Sequence, residues 1–216
     1  MNTFNAGSCI GFAWETFKKR FWFFIGATFV AIVAYSLVSG ILDEVLHLLL
    51  GQSGLSVFLQ GVVRLVVDMF LGMGMTAFFI KAHDAVERVQ LKDLWHPKSF
   101  WKYLGVSILV GVIVSIGFIL VIIPGIIAMT MLIFASYLVI DRDLGPIAAI
   151  KESMRITKGH RWGLLGLILL AIVINILGAI CLVVGIFVTI PVSTLAVIHA
   201  YRTLSQQKSG EAVPVA

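Results

Sequence analysis

Long apolar runs, separated by short clusters of charge or by Pro and Gly, set the rhythm of this chain. They cover about 21–42, 59–80, 103–123, 126–140, 163–184 and 186–201. A run of about 20 residues crosses the hydrocarbon core of a bilayer as an α-helix, and none of these runs alternates in the way a membrane β-strand does. Inside lipid a helix satisfies its own backbone polar groups. The pattern therefore predicts an all-α, polytopic integral membrane protein with six transmembrane helices. A single transmembrane domain is expected over 1–205, with a short polar tail over 206–216. The first run is too long for the core of a signal peptide and no small-residue cleavage site follows it, so it is expected to be retained.

The runs fall into pairs. Trp22 is followed by Gly26, Trp101 by Gly105 and Trp162 by Gly166, each beside a basic cluster at the mouth of a span: "KKRFWFFIG", "PKSFWKYLG" and "KGHRWGLLG". Trp101 to Gly125 is 24 residues and Trp162 to Gly185 is 23. The spacing reads as three helical hairpins, the second and third built on a unit of about 60 residues. Tryptophan favours the headgroup region, with Lys and Arg just outside it holding the helix end. A glycine four residues on lies on the same helical face and lets a neighbour approach. The first hairpin has a longer outer segment, "DEVLHLLLGQSGLS", expected as a short interfacial helix.

Ahead of each threshold lies an interface-seeking stretch. Ile10, Trp14, Phe17 and Phe21 recur at helical spacing, and Leu91, Leu94 and Trp95 precede Pro97. Pro146 opens a helix with Ile147, Ile150 and Met154 as its apolar face and Lys151, Arg155 and Lys158 on another. These are expected to lie on the cytoplasmic membrane surface.

Composition agrees with the runs, at 60% hydrophobic, 12% charged and a mean hydropathy of +1.05. A soluble domain carries about twice that share of charge. Of the 16 Lys and Arg, 15 fall before the first span, in the second and fourth connections or after the sixth span; Arg64 is the exception. Basic residues mark cytoplasmic loops, so a multi-pass protein of the bacterial cytoplasmic membrane with both termini cytoplasmic is expected. Topology accounts for the net charge of +5, and nucleic-acid binding is not implied.

Candidate chemistry is sparse. Arg64 and Asp68 are one turn apart inside the second run, so they share a face and pair, either as a structural, snorkelling pair or as a substrate-, proton- or ion-handling one. Asn175 falls mid-span in a stripe with Ala171 and Ala179, which reads as helix packing or as a third member of that intramembrane polar site. Ser107, Gly111 and Ser115 form a comparable stripe. Short segments interrupted at Pro124-Gly125, Gly185 and Pro191 are compatible with a transporter site, but repeats of one orientation and a core poor in charge weigh against an ion-coupled carrier. Cys9 and Cys181 sit in different environments without metal-ligand spacing, and the histidines at 47, 83, 96, 160 and 199 are scattered. No nucleotide, nucleophile or metal motif is present. No catalysis and no cofactor are expected. The candidate lipid-headgroup contacts are Lys151, Arg155, Lys158, Arg161 and Trp162.

Residues 123–171, "IPGIIAMTMLIFASYLVIDRDLGPIAAIKESMRITKGHRWGLLGLILLA", carry Pro124-Gly125, Asp141 and Asp143, Ala149 to Ser153, Lys158-Gly159 and Arg161-Trp162. With the weaker "AWETFKKRFWFFIG", the stretch resembles bacterial multi-span proteins of the glycerophosphoryl diester phosphodiesterase membrane-domain type and their YciC-like and DUF975-like relatives. The resemblance implies a membrane domain without the phosphodiesterase, for which 216 residues leave no room. The expected role is accessory or structural in the cell envelope, with anionic membrane lipid as partner and a protein partner or homo-oligomer as further candidates. The alternative is a small transporter or lipid-handling protein working near Arg64, Asp68 and Asn175.

Overall fold

The computed structural model describes residues 5–51, 54–94, 99–180 and 185–209, and over them the chain is helical without strands. The helices are α1 (Ala6–Lys19), α2 (Phe21–Leu50), α3 (Gly54–Asp84), α4 (Phe100–Leu120), α5 (Ile122–Leu132), α6 (Ala135–Arg142), α7 (Pro146–Thr157), α8 (Arg161–Ile180) and α9 (Ile186–Ser209), with one 3₁₀ turn at Leu91–Leu94. Six segments are long and apolar enough to cross a membrane: 21–49, 54–84, 100–120, 122–142, 161–180 and 186–208. In space α2 lies along α3, α4 along α5 and α8 along α9.

The two flanks of the molecule differ in packing. At the end where the basic residues gather, Phe17, Phe24, Phe78, Phe79, Phe134 and Tyr201 are fully buried. At the far end Leu48, Leu49, Ile119 and Ile180 are each more than 70% exposed. Lipid is as apolar as leucine, so helices gain little hydrophobic energy from touching within it, and association depends on close van der Waals contact and hydrogen bonds. This chain concentrates both at the basic end and leaves the far halves of α2, α3, α4 and α8 bare.

Four details depart from the sequence reading. The segment 43–56 is no separate interfacial helix: α2 continues to Leu50 and α3 restarts at Gly54. At ~1.5 Å per residue both run to about 45 Å, well beyond a hydrocarbon core of roughly 30 Å. Nothing lies within 4 Å of a Cβ placed at Gly26 or Gly166, so only Gly105, where Pro146 approaches to 3.0 Å, serves the close-contact role assigned to the threshold glycines. Gly111, in the small-residue stripe of α4, also faces open space. The tight seams are elsewhere, at Gly117 against Gly125 and Gly178 against Gly185. These pairs stand 61 and 60 residues apart in the sequence, the interval that separates Trp101 from Trp162, so the two units share a geometric seam as well as a spacing.

α1 turns its apolar face into protein. Cys9, Ala13 and Phe17 are buried, Phe17 against Phe24, and Phe12 stacks on His199 at 4.0 Å between ring centroids. Burial pushes the Cys9 thiol up to about 11, so it stays protonated and unreactive near neutrality. Trp95, Pro97 and Cys181 lie outside the described residues.

The fourth span breaks at Ile133–Phe134, between α5 and α6. The cause is a side chain from another helix. Buried Ser153 of α7 donates its hydroxyl to the Met131 carbonyl at 2.8 Å and accepts the Phe134 N–H at 3.3 Å. An inserted hydroxyl replaces the helix's own hydrogen bonds and bends it. The Ala149-to-Ser153 motif thus has a structural use: buried Ala149 lets α7 come close, and Ser153 enters the ladder.

Candidate functional site

The expected intramembrane polar site separates into three places. Arg64 reaches Asp43 of α2 at 3.4 Å, rather than pairing with Asp68. Both ion-pair partners are about half exposed, a setting in which such contacts are worth roughly 0–1 kcal/mol. Asn175 is far along the chain on α8, where it donates to the Ala171 carbonyl at 2.8 Å and to Ser193 Oγ of α9 at 3.1 Å. That is helix packing. Asp68 is exposed and opens into a cleft of about 590 Å³ between α2, α3 and the 3₁₀ turn. Apart from Asp68 and Tyr35 the walls are apolar, including Val30, Ala31, Leu71 and Met75; Arg64 and Asn175 are not among the lining residues.

The candidate headgroup contacts lie together at the basic end. On α7 the face expected from the sequence is rotated: Ala149, Ser153 and Ile156 point inward, while Ile147 is 66% and Met154 39% exposed. Ile147, Lys151, Met154 and Lys158 follow at spacings of four, three and four, so an exposed stripe interleaves apolar and cationic side chains. Arg161 and Trp162 continue it, Trp162 being 85% exposed, and Trp22 and Trp101 are each 80% exposed. Arg155 is held differently. Its guanidinium forks onto Glu152 at 2.6 and 2.7 Å, and this hydrogen bonding keeps the Glu152 carboxyl below the usual carboxylate range. Among the described residues Lys151, Lys158 and Arg161 make no ion pair. Three unneutralised cations therefore remain of the four anticipated.

Sequence reasoning missed the strongest polar assembly. Arg202 of α9 bridges Asp84 of α3 and Asp141 of α6, with N–O distances of 2.5 to 3.1 Å, and Tyr201 donates its hydroxyl to Asp141 at 2.6 Å. The second member of the acidic pair, Asp143, accepts from Lys102 at 2.8 Å and Ser99 at 2.8 Å at the start of α4. Beside this clamp His83 and His199 approach to 3.2 Å. The only cue in the sequence is that Asp84, Asp141 and Arg202 close the three spans that return to the basic end. Every member of the clamp finds a partner within it, so it ties helix ends together rather than offering groups to a ligand.

Residues 112–208, from the middle of α4 to the end of α9, match a family described as "Protein of unknown function (DUF975)". That match covers a little under half of the chain and marks what this part is similar to. It is also 25% identical over 184 residues to the "Uncharacterized protein Rv2560" of Mycobacterium tuberculosis (strain ATCC 25618 / H37Rv), covering 85% of this chain and 56% of that one. The "Uncharacterized protein Mb2590" of Mycobacterium bovis matches with the same identity and coverage. The chain thus spans little more than half the length of these curated relatives. No solved structure matches. The DUF975-like part of the sequence resemblance has a counterpart among these matches, and the phosphodiesterase membrane domain has none. The matched region contains the Ser153 insertion, Asp141, Arg202, both glycine seams and the basic stripe; Asp68 and its cleft lie outside it.

Proposed function

We propose that this DUF975-like chain is a non-enzymatic accessory protein of the bacterial cytoplasmic membrane, with both termini in the cytoplasm, whose packed basic end interacts with anionic lipid. One observation carries the reading: the exposed stripe Ile147, Lys151, Met154 and Lys158, continued by Arg161 and the 85% exposed Trp162. Apolar residues interleaved with cations suit a surface held at the headgroup level, where each Lys or Arg near an anionic leaflet contributes about 1 kcal/mol before screening. Replacing Lys151, Lys158 and Arg161 together by Gln is expected to cut co-purified anionic phospholipid severalfold. It should also lower thermal stability more in anionic than in zwitterionic nanodiscs. Arg155→Gln is expected to change lipid retention little, because Glu152 already neutralises that charge. Unchanged retention in the triple variant would reduce the stripe to a topology signal.

A second reading, lipid handling, is favoured by the cleft beside Asp68. Its support is the presence of one exposed carboxylate in an apolar wall at membrane depth, where ionisable groups are costly and tend to be functional.

A further inference from the structure

Asp68 has no hydrogen bond or ion pair to another described residue, although it stands 13 residues before Lys81, or about 20 Å along the helix toward the far end. In a hydrocarbon layer of roughly 30 Å that leaves it about 10 Å short of the far interface. An ionisable side chain at that depth is costly without a partner of opposite charge. Arg64, one turn farther out, is engaged by Asp43 of α2 and does not line the cleft. Toward the basic end the cleft is lined by Leu71, Gly72, Met75, Leu91 and Leu94. Its volume of about 590 Å³ falls within the roughly 300–1,000 Å³ of ligand pockets.

We propose that this cleft binds a zwitterionic bilayer lipid whose headgroup ends in a primary ammonium, with the ammonium on Asp68 and one acyl chain along the α2–α3 wall. Two features of the occupant follow from two features of the site. The carboxylate selects a cation with N–H donors. The apolar wall takes a chain. The proposal uses none of the residues of the basic stripe, so it stands or falls independently of the anionic-lipid reading.

The full chain is reconstituted in nanodiscs of equal phosphatidylethanolamine and phosphatidylcholine, extracted in mild detergent, and its retained lipid measured by native mass spectrometry. Phosphatidylcholine carries the same charges but has no N–H to donate. The wild-type protein is expected to retain phosphatidylethanolamine about tenfold over phosphatidylcholine. Asp68→Asn is expected to abolish that preference. Ala34→Leu, which fills the cleft while leaving Asp68 in place, is expected to lower total retention with a normal unfolding temperature. It therefore separates loss of the site from loss of the fold. The Lys151, Lys158 and Arg161 variant should keep the preference. Equal retention of the two lipids by the wild type, or a preference unchanged by Asp68→Asn and Ala34→Leu, overturns the proposal. So does a dimer that Ala34→Leu dissociates, since the cleft would then be covered by a second copy.

Discussion

Alanine at Gly117 or Gly185 is expected to lower the unfolding temperature of the detergent-solubilised protein by roughly 2–12 °C, whereas alanine at Gly26 or Gly166 leaves it unchanged or slightly raised. A Cβ on Gly117 would stand 2.9 Å from the Cα of Gly125, and one on Gly185 would stand 2.3 Å from the carbonyl oxygen of Gly178. Both obstacles are backbone, which has no rotamer in which to retreat, so the two helices must part. Overpacking of this kind costs about 1–3 kcal/mol, sometimes more, and for a chain of this size each kcal/mol corresponds to about 2–4 °C. Inside lipid the loss is felt in full, because separated helices recover no hydrophobic energy. At Gly26 and Gly166 the added methyl meets nothing, and alanine is intrinsically the better helix former by about 1 kcal/mol. A thermal scan of the four variants decides the matter. Equal behaviour of the two pairs would contradict the seam geometry.

The second large effect is expected at Arg202. Methionine there fills similar volume but removes the cation shared by Asp84 and Asp141. The Asp141 side chain is only 13% exposed, so its carboxylate loses its charge partner and keeps only the Tyr201 hydroxyl. Removing one partner of a buried ion pair costs roughly 3–5 kcal/mol, and the 45% exposure of Asp84 places this case near the lower end. Asp84→Asn is expected to cost less than 1 kcal/mol, since its carboxylate is half in solvent and Arg202 keeps Asp141. The decisive arm is the double variant Arg202→Met with Asp141→Asn. It removes both the cation and the stranded charge, and is expected to recover more than half of the loss. Thermal or chemical unfolding of the cycle reads the coupling directly. Additive losses would mean that Arg202 acts through packing alone.

What the sequence reveals here is what depends on short stretches of chain. Six spans follow from apolar length, and Trp22, Trp101 and Trp162 sit exposed at basic thresholds because both preferences are local. Contacts between distant segments are not legible in this way. Proximity along one helix suggested that Arg64 would pair with Asp68, but the chain offers Arg64 a second acid, Asp43, from the neighbouring helix, and the arginine takes it. The inward face of α7 was misplaced because Ile147 and Met154 outrank Ala149 and Ser153 in hydrophobicity. In the structure the small residues go inward because they admit close approach to the break in the fourth span, and the larger ones face outward. Similarly, Gly26 and Gly166 carry the same spacing as Gly105, yet only Gly105 meets a neighbour. The clamp joins positions 84, 141 and 202, a convergence that becomes visible only when the returning spans are laid side by side.

The central claim is that six spans present their charged thresholds on one side and their bare apolar halves toward the other. Topology mapping with paired reporters, one active only in the cytoplasm and one only outside it, tests this most directly. Fusions after Val89, Thr157 and Gln207 are expected to report the cytoplasm, and fusions after Gly51, Gly125 and Gly185 the opposite side. A cytoplasmic signal at Gly125 would contradict the account, because the third and fourth spans could not then cross the membrane as separate helices.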